Sequence, residues 1–464
     1  MISTELSSPT YSGELGDGLI RRWSTAADTE KFARLLGTVF RDQHDELPNP
    51  RPMAEGRLMM QPGFPFMTAT DVAVVEDTRH PERPLVACTT FWRHKWSLGG
   101  IPFGVGRPEM VAADPAYRNR GLIRSLFEMI HARSAAEGHL LQAITGIPYF
   151  YRQFGYEYVL DLEGSRTTYF SLIPAKKGEG PEPCSLLPAT AADVTRIVEL
   201  YALRRPTSLI WHEAPERRWQ FAIEAAGDPA VPEGEVLRAG VSWRYWMILD
   251  AEQAVCGYLS LVVRRWGPAL SVRELTLAPG ADLPKLVPAL LRQLRDIGQR
   301  TPAVRPDTPP CSEIALQLGR THPIYDLLGD ALAPRVEPPY AWYIRIPDLP
   351  AFVRHIAPVL ERRLAQSILA GYTGSLKLDL YRDGLHLRFE RGSLIGVEPW
   401  RAPIHGDDDT ALGCPPLTFL QLLLSYRSLD ELRAIYPDVW AKDEHHLAID
   451  TLFPKQQSFV EPLG

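Results

Sequence analysis

The stretch YRNRGLIRSL, Tyr117 to Leu126, gathers Arg118, Arg120 and Arg124 around Gly121 where a strand-like run meets a helix-like one. A helix N-terminus leaves backbone N–H groups unpaired and carries partial positive charge, so basic side chains crowded there are misplaced unless an anion sits among them. Glycine lets a ligand approach the backbone, the N–H groups donate, and arginine supplies the countercharge, a combination suited to pyrophosphate. An ordinary strand-to-helix turn with solvated arginines fits the same letters.

The elements that must position this loop are readable on both sides. Upstream, GVGRPEMVAA has the look of a strand that Asp114 and Pro115 end. Downstream, Leu122, Leu126, Met129 and Ile130 recur at helical spacing, and Gly138 is a natural stop. Arg124 lies one turn beyond Arg120, on the same side.

The 464 residues exceed one ordinary core, and at roughly 150 residues per domain they suggest about three domains. A formal net charge of −6 argues against a general nucleic-acid binder, so any basic site must be local. The N-terminus has no charged or apolar leader pattern and no apolar run approaches membrane-spanning length, from which a cytoplasmic protein without membrane partners is expected. Five scattered cysteines without CxxC spacing predict packing roles rather than a disulfide framework or zinc cluster. His445 and His446 beside Asp443 and Glu444, and His405 before Asp407, Asp408 and Asp409, lack a ligand spacing and read as solvated loops, so no metal is expected.

KKGEGPEP (Lys176 to Pro183) reads as a domain boundary, and GQRTPAVRPDTPP (Gly298 to Pro310) as a long loop inside a middle domain. The first two segments repeat one pattern. LIRRWSTAADTEKFARLL matches SLLPATAADVTRIVELYA, with a shared TAAD that supplies an N-cap. Likewise EMVAADPAYRNRGLIRSLFEMI lies in register with ELTLAPGADLPKLVPALLRQL, where the arginines are missing. Only the first copy should hold the anion.

The loop resembles the acyl-CoA motif of the GCN5-related N-acetyltransferases (Q or R, x, x, G, x, then G or A), with Ile123 in place of the final small residue. With FYRQFGYEYV (Phe150 to Val159) some thirty residues later, it is similar to the enhanced intracellular survival (Eis) family of that superfamily. GSLKLDLYRDGLHLRFERG, LTFLQLLLSYRSLDELRAI and LFPKQQSFVEP resemble that family's sterol-carrier-like third domain. The resemblance implies an α+β protein of two tandem GCN5-related acetyltransferase folds, the second degenerate, followed by a sterol-carrier-like α/β domain. The corresponding division is 1–177, 184–348 and 349–464.

The same resemblance implies acetyl-CoA as co-substrate and a primary amine as acceptor, either a small polycationic or drug-like amine or a lysine side chain. Arg118, Asn119, Arg120, Gly121, Leu122, Ile123 and Arg124 would hold the pyrophosphate. The strand Met110, Val111, Ala112 and Ala113 would pair with the pantetheine arm and offer N–H groups to the thioester oxygen. Tyr151 matches the family's proton donor, and the C-terminal carboxylate of Gly464 its base, with Glu461 as a second carboxylate. Asp42 to Glu46 fall where the family builds its acceptor wall, and Trp92 and Trp96 offer an aromatic face for a cation; a solvated acidic loop and core tryptophans fit the same residues better. A closed homo-oligomer, often a hexamer, is the family's assembly. The alternative is a non-catalytic acyl-CoA or hydrophobic-ligand binder that retains the scaffold.

Overall fold

The computed structural model describes residues 4–41, 47–227, 240–403 and 409–461. The first sheet is opened by β1 (Ser12–Gly16) and β2 (Leu19–Trp23), then β3 (Val72–Asp77), the long hairpin β4 (Leu85–Leu98) and β5 (Ile101–Ala113), β6 (Leu141–Ile144) and β7 (Glu157–Leu162). Gly99 and Gly100, at φ +53° and +89°, close the hairpin in the left-handed conformation that a two-residue turn demands. The second sheet contains β8 (Ser165–Tyr169), β9 (Cys184–Pro188), β11 (Trp243–Asp250), β12 (Val255–Val262), β13 (Ala269–Leu277), β14 (Glu313–Leu316) and β15 (Arg335–Glu337). A short β10 (Ile210–His212) pairs instead with the far end of β4.

Both sheets follow one order. The first runs β2-β3-β4-β5-β6-β16-β7, with β16 at Tyr340–Arg345, and the second runs β9-β11-β12-β13-β14-β8-β15. In each, only the fourth and fifth strands of this order are parallel, joined across a helix: α3 (Leu122–Ala136) in the first and Leu283–Arg300 in the second. The shared TAAD works identically in both. Asp28 Oδ2 accepts from the Thr25 N–H at 2.8 Å ahead of α1 (Thr29–Val39), and Asp193 Oδ2 accepts from the Thr190 N–H at 2.8 Å ahead of α4 (Val194–Ala202).

The sixth strand of each order comes from the other half of the chain. β16 inserts between β6 and β7 of the first sheet, and β8 between β14 and β15 of the second. The expected division near residues 177 and 184 lies in a connection between elements, yet the first side lends the second β8, and the second lends the first β16 and the short β10. Unfolding of the two halves is therefore coupled through backbone hydrogen bonds as well as side chains.

The third segment begins with helices Leu349–His355 and Ala357–Ala365 and builds a five-stranded sheet from β17 (Gly374–Asp379), β18 (Gly384–Glu390), β19 (Ser393–Pro399), β20 (Thr410–Gly413) and β21 (Trp440–Ala441). Its interior is filled by Leu376, Leu378, Leu387, Phe389, Phe419 and Leu422, and this core is continuous with Trp96, Val105 and Trp342 of the first sheet. The stretch around His445 and His446 is helical (Asp443–Leu452) rather than a loop, and His446 bridges Asp430 and Asp450 at 3.1 and 3.2 Å. The His405 to Asp408 stretch lies outside the described residues. Among the described residues no side-chain cluster has the composition of a metal site, and no helix is long and apolar enough to cross a membrane.

After that helix the chain runs back across the first sheet. Leu209 donates its N–H to the Gln457 carbonyl at 2.9 Å, and Trp342 Nε1 donates to the Val460 carbonyl at 3.0 Å. Glu461 then enters a buried cluster, 3.0 Å from Arg204 and 3.6 Å from Arg218, while Arg218 pairs with Glu274. Desolvation, reinforced by the charge of Glu274 and opposed by Arg204 and Arg218, pushes the Glu461 carboxyl up to about 8. A carboxyl raised in the folded state binds more protons there than in the unfolded chain, so its contribution is present at low pH and is lost as pH rises through that value. Thermal denaturation followed between pH 6 and 9 should show stability falling to about pH 8, by at most about 1.4 kcal/mol per pH unit for the one proton. Glu461→Gln should flatten that slope.

Candidate active site

β5 carries a bulge where the chemistry was expected. Cys88 pairs with Ala112 and Thr90 with Glu109, so Met110 and Val111 together face Thr89, with Met110 at φ +48°. The strand has already left its parallel neighbour before the bulge. β5 and β6 are registered only at Val105–Leu141 and Gly106–Gln142, after which β5 runs on to Ala113 along a widening gap. The equivalent strands of the second sheet stay together over four register positions, Ala269–Glu313 to Val272–Leu316.

The gap opens into a cleft of about 760 Å³, within the range of small-molecule sites. One wall is Val111, Ala113 and Ile123. The loop residues Arg118, Asn119 and Gly121 form its end, and Ile147, Phe150, Gln153 and Phe154 face them. Asp114 caps the short turn Pro115–Tyr117 by accepting from the Ala116 N–H at 2.9 Å, which aims the loop. Asn119 and Gly121 are both left-handed, at φ +61° and +74°, and α3 starts directly after them. Successive backbone N–H groups turned this way form an anion-binding concavity at a helix N-terminus.

The arginines sit in reach of that concavity. Arg118, Arg120 and Gly121 are exposed. Arg120 holds the exposed Asp17 at 2.9 Å and Arg124 donates to Gln153 Oε1 at 2.9 Å, surface contacts worth little and readily exchanged for an anion. These residues fit the diphosphate of a nucleotide-bearing thioester. A Cβ at Gly121 would meet no atom within 4 Å, so Gly121→Ala acts through its backbone angle alone. It should cost about 1 kcal/mol of stability by thermal denaturation, since left-handed backbone is disfavoured for a residue with a Cβ by roughly 1–2 kcal/mol.

The expected residues do not all converge. Val111, Ala113, Arg118, Asn119, Gly121, Leu122, Ile123 and Arg124 line the cleft. Met110, Ala112, Arg120 and Tyr151 are not among its lining residues, Arg120 lying on the exposed outside of the loop and Tyr151 buried behind Val111, Ile123 and Phe150. By strand alternation Met110 and Ala112 stand on the face opposite Val111 and Ala113, in one cluster with Phe32, Leu36 and Cys88. Asp42 to Glu46 and Gly464 lie outside the described residues. Trp92 and Trp96 are both buried, and the ring of Trp92 faces the chain's own Arg107, 4.9 Å from its guanidinium.

Tyr151 stands in a short helical turn, Phe150–Phe154, entered through Tyr149 at φ +66° and left through Gly155 at φ +85°. Phe127 stacks on its ring at 5.8 Å and Tyr343 packs edge-on at 5.3 Å, so β16, the strand borrowed from the second half, helps seat it. It is 2% exposed and its hydroxyl has no hydrogen-bond partner among the described residues. Burial raises the phenol well above its usual range, and the negative charge of Glu109 adds to the shift. The neighbouring tyrosines are already engaged. Tyr156 bonds His131 at 2.9 Å, while Tyr158 lies between Tyr340 and Tyr343.

Two residues at this site escaped the sequence reading. Arg107 and Glu109, two apart on β5, form an ion pair of 2.6 Å beside Trp92. In sequence they are unremarkable alternating strand residues.

Residues 20–159 match the family described as acetyltransferase (GNAT) domain. No curated protein matches the chain significantly. Solved structures resemble it along nearly its whole length. A probable N-acyltransferase of unknown function from Enterococcus faecalis has a TM-score of 0.66 at 14% identity, covering 96% of this chain and 99% of its own. A GCN5-related N-acetyltransferase from Kribbella flavida has 0.62 at 16%, covering 96% and 99%. Eis1 from Mycobacterium abscessus has 0.56 at 13%, covering 95% and 99%. At these identities the likeness is one of fold. The cleft, its arginine loop and Tyr151 all fall within the matched stretch: residues 20–159 carry an acetyltransferase (GNAT) domain, and the chain is an acetyltransferase.

Proposed function

We propose that the chain transfers an acetyl group from acetyl-CoA to a primary amine by direct attack on the thioester, in the manner of the Eis family. The observation that carries this reading is the bulged strand β5 parting from β6 directly above the arginine loop, with a protonated, unbonded tyrosine buried at its side. The loop from Arg118 to Arg124 anchors the pyrophosphate and the strand from Met110 to Ala113 the pantetheine arm, through backbone groups where side chains point away. Tyr151 gives its proton to the departing thiolate. Its high affinity for the proton keeps the hydroxyl neutral until a thiolate forms beside it. The amine must lose a proton to a carboxylate, for which the resemblance offers Gly464.

The second sheet is a degenerate copy in this account. The helix Leu283–Arg300 starts with Asp282 and Lys285 paired to each other at 2.7 Å, with no arginine in its first turn, and its strands do not part. The third segment we read as the sterol-carrier-like domain. A cytoplasmic location stays an expectation of the sequence, and a closed homo-oligomer, often a hexamer in the family, rests on the resemblance alone. The test is enzyme-dependent thiol release from acetyl-CoA with a panel of primary amines, with mass spectrometry of the product. A gain of one acetyl group on the amine supports the reading, and thiol release no faster than without enzyme across the panel would refute it.

A further inference from the structure

We propose that Tyr340 and Tyr343, which the second half of the chain contributes on β16, are positioning residues for the transfer: with Tyr158 they hold the backbone of residues 146–149 and so fix where the Tyr151 hydroxyl stands. The proposal rests on the acetyltransferase reading above. It gives the second half, which has no arginine loop of its own, a part in the first half's reaction.

The segment that they hold joins the end of β6 to the turn Phe150–Phe154. Gly146 is at φ +108° and Tyr149 at φ +66°, the latter a conformation that a residue with a Cβ adopts only at a cost. Residues 146–149 are exposed, so packing does not fix them. Yet Ile147 and Phe150 line the cleft, and Tyr151 follows directly. Among the described residues, every hydrogen bond between a side chain and the backbone of 146–149 involves one of the three phenols.

Proton count sets the direction of these bonds. The Gly146 carbonyl can only accept, so the Tyr340 hydroxyl donates to it at 2.8 Å and its one proton is used. Tyr158, 2.9 Å away, must therefore donate to Tyr340, while Tyr343 donates to Tyr158 and has the Ile147 carbonyl 3.4 Å off as a second acceptor. The Tyr149 N–H donates to Tyr158 at 3.2 Å. Three hydroxyl protons thus point one way and end on Gly146.

That end point is next to the proposed donor. A Cβ built on Gly146 would lie 4.0 Å from the Tyr151 hydroxyl, so the backbone held by Tyr340 is the backbone that the hydroxyl stands against. Tyr343 acts twice, since its ring also packs edge-on against that of Tyr151 at 5.3 Å. Strand register sets both placements: β16 lies between β6 and β7, with Tyr343 opposite Ile144 on one side and Tyr158 on the other. Two of the three phenols are therefore absent from the first half taken alone.

The test is a double-mutant cycle on kcat, run with the best acceptor from the amine panel. Tyr340→Phe and Tyr343→Phe each keep the ring and remove one hydroxyl. Each should lower kcat by about 10-fold or more, since misplacing a reacting group by about 1 Å can cost about 10²-fold. Acetyl-CoA affinity by calorimetry and the melting temperature should stay near wild type, because the arginine loop is untouched. In the Tyr151→Phe background the same substitutions should cost no more than about two-fold, there being no hydroxyl left to place. An equal loss in both backgrounds marks a merely structural role and would overturn the proposal, as would wild-type kcat in both single variants. Should Tyr343→Phe melt low, Tyr340→Phe decides, its side chain being at the surface. Failure of the wild type to acetylate any amine is a different result: it removes the acetyltransferase reading, and this assignment with it.

Discussion

Tyr151→Phe is expected to lower kcat by about 10²- to 10⁴-fold while leaving acetyl-CoA affinity unchanged, the range for removal of a positioned general acid. The leaving group is a thiol of reference pKa about 8.5, which departs faster when a proton arrives as the carbon–sulfur bond breaks. Tyr151 meets the requirements for that donor. Its ring is fixed by Phe127, Phe150 and Tyr343, its hydroxyl has no competing partner among the described residues, and burial keeps it protonated. Phenylalanine preserves every ring contact, so the measurement isolates the hydroxyl. Steady-state kinetics with calorimetry on the same preparation separates the two terms. Wild-type turnover in the variant would remove Tyr151 from the mechanism.

The second large effect is expected at the loop. The double variant Arg120→Ala, Arg124→Ala should weaken acetyl-CoA binding by about 10²-fold or more, because each charge-assisted hydrogen bond to phosphate contributes about 1.5–3 kcal/mol. Neither arginine supports the fold. Among the described residues Arg120 reaches the exposed Asp17 and the ring of Tyr117, and Arg124 reaches Gln153 and the ring of Phe154. The variant should therefore melt near the wild-type temperature. Loss of binding without loss of stability is what a ligand site gives; loss of both would make the loop a structural element.

The parts of this site that the sequence made legible are local. The turn chemistry of Asp114 and Pro115, the left-handed Gly121 and the apolar spacing of α3 are each decided by neighbours in the chain, and the loop formed where they pointed. The duplicated TAAD was legible for the same reason, since a capping box needs only four residues. What depended on distant pairing was not. SRTTY and YAWYIR carry nothing in their composition that says which sheet each will join, and the exchange of β8 and β16 follows from closure of two sheets in one chain. The bulge is the other case. The extra residue shifts the alternation across it: Glu109, opposite Thr90, and Ala112, opposite Cys88, share one face although they lie three apart, while Val111 and Ala113 take the other. Alternation alone cannot show where a strand slips by one.

On this reading one cleft per chain, in the first sheet, binds the acyl donor. Calorimetric titration of the purified protein with acetyl-CoA reads this directly. One site per chain is expected, because the loop between β5 and α3 has its arginines and a parted strand pair, whereas the second sheet has neither. Two sites per chain, or none, would contradict it.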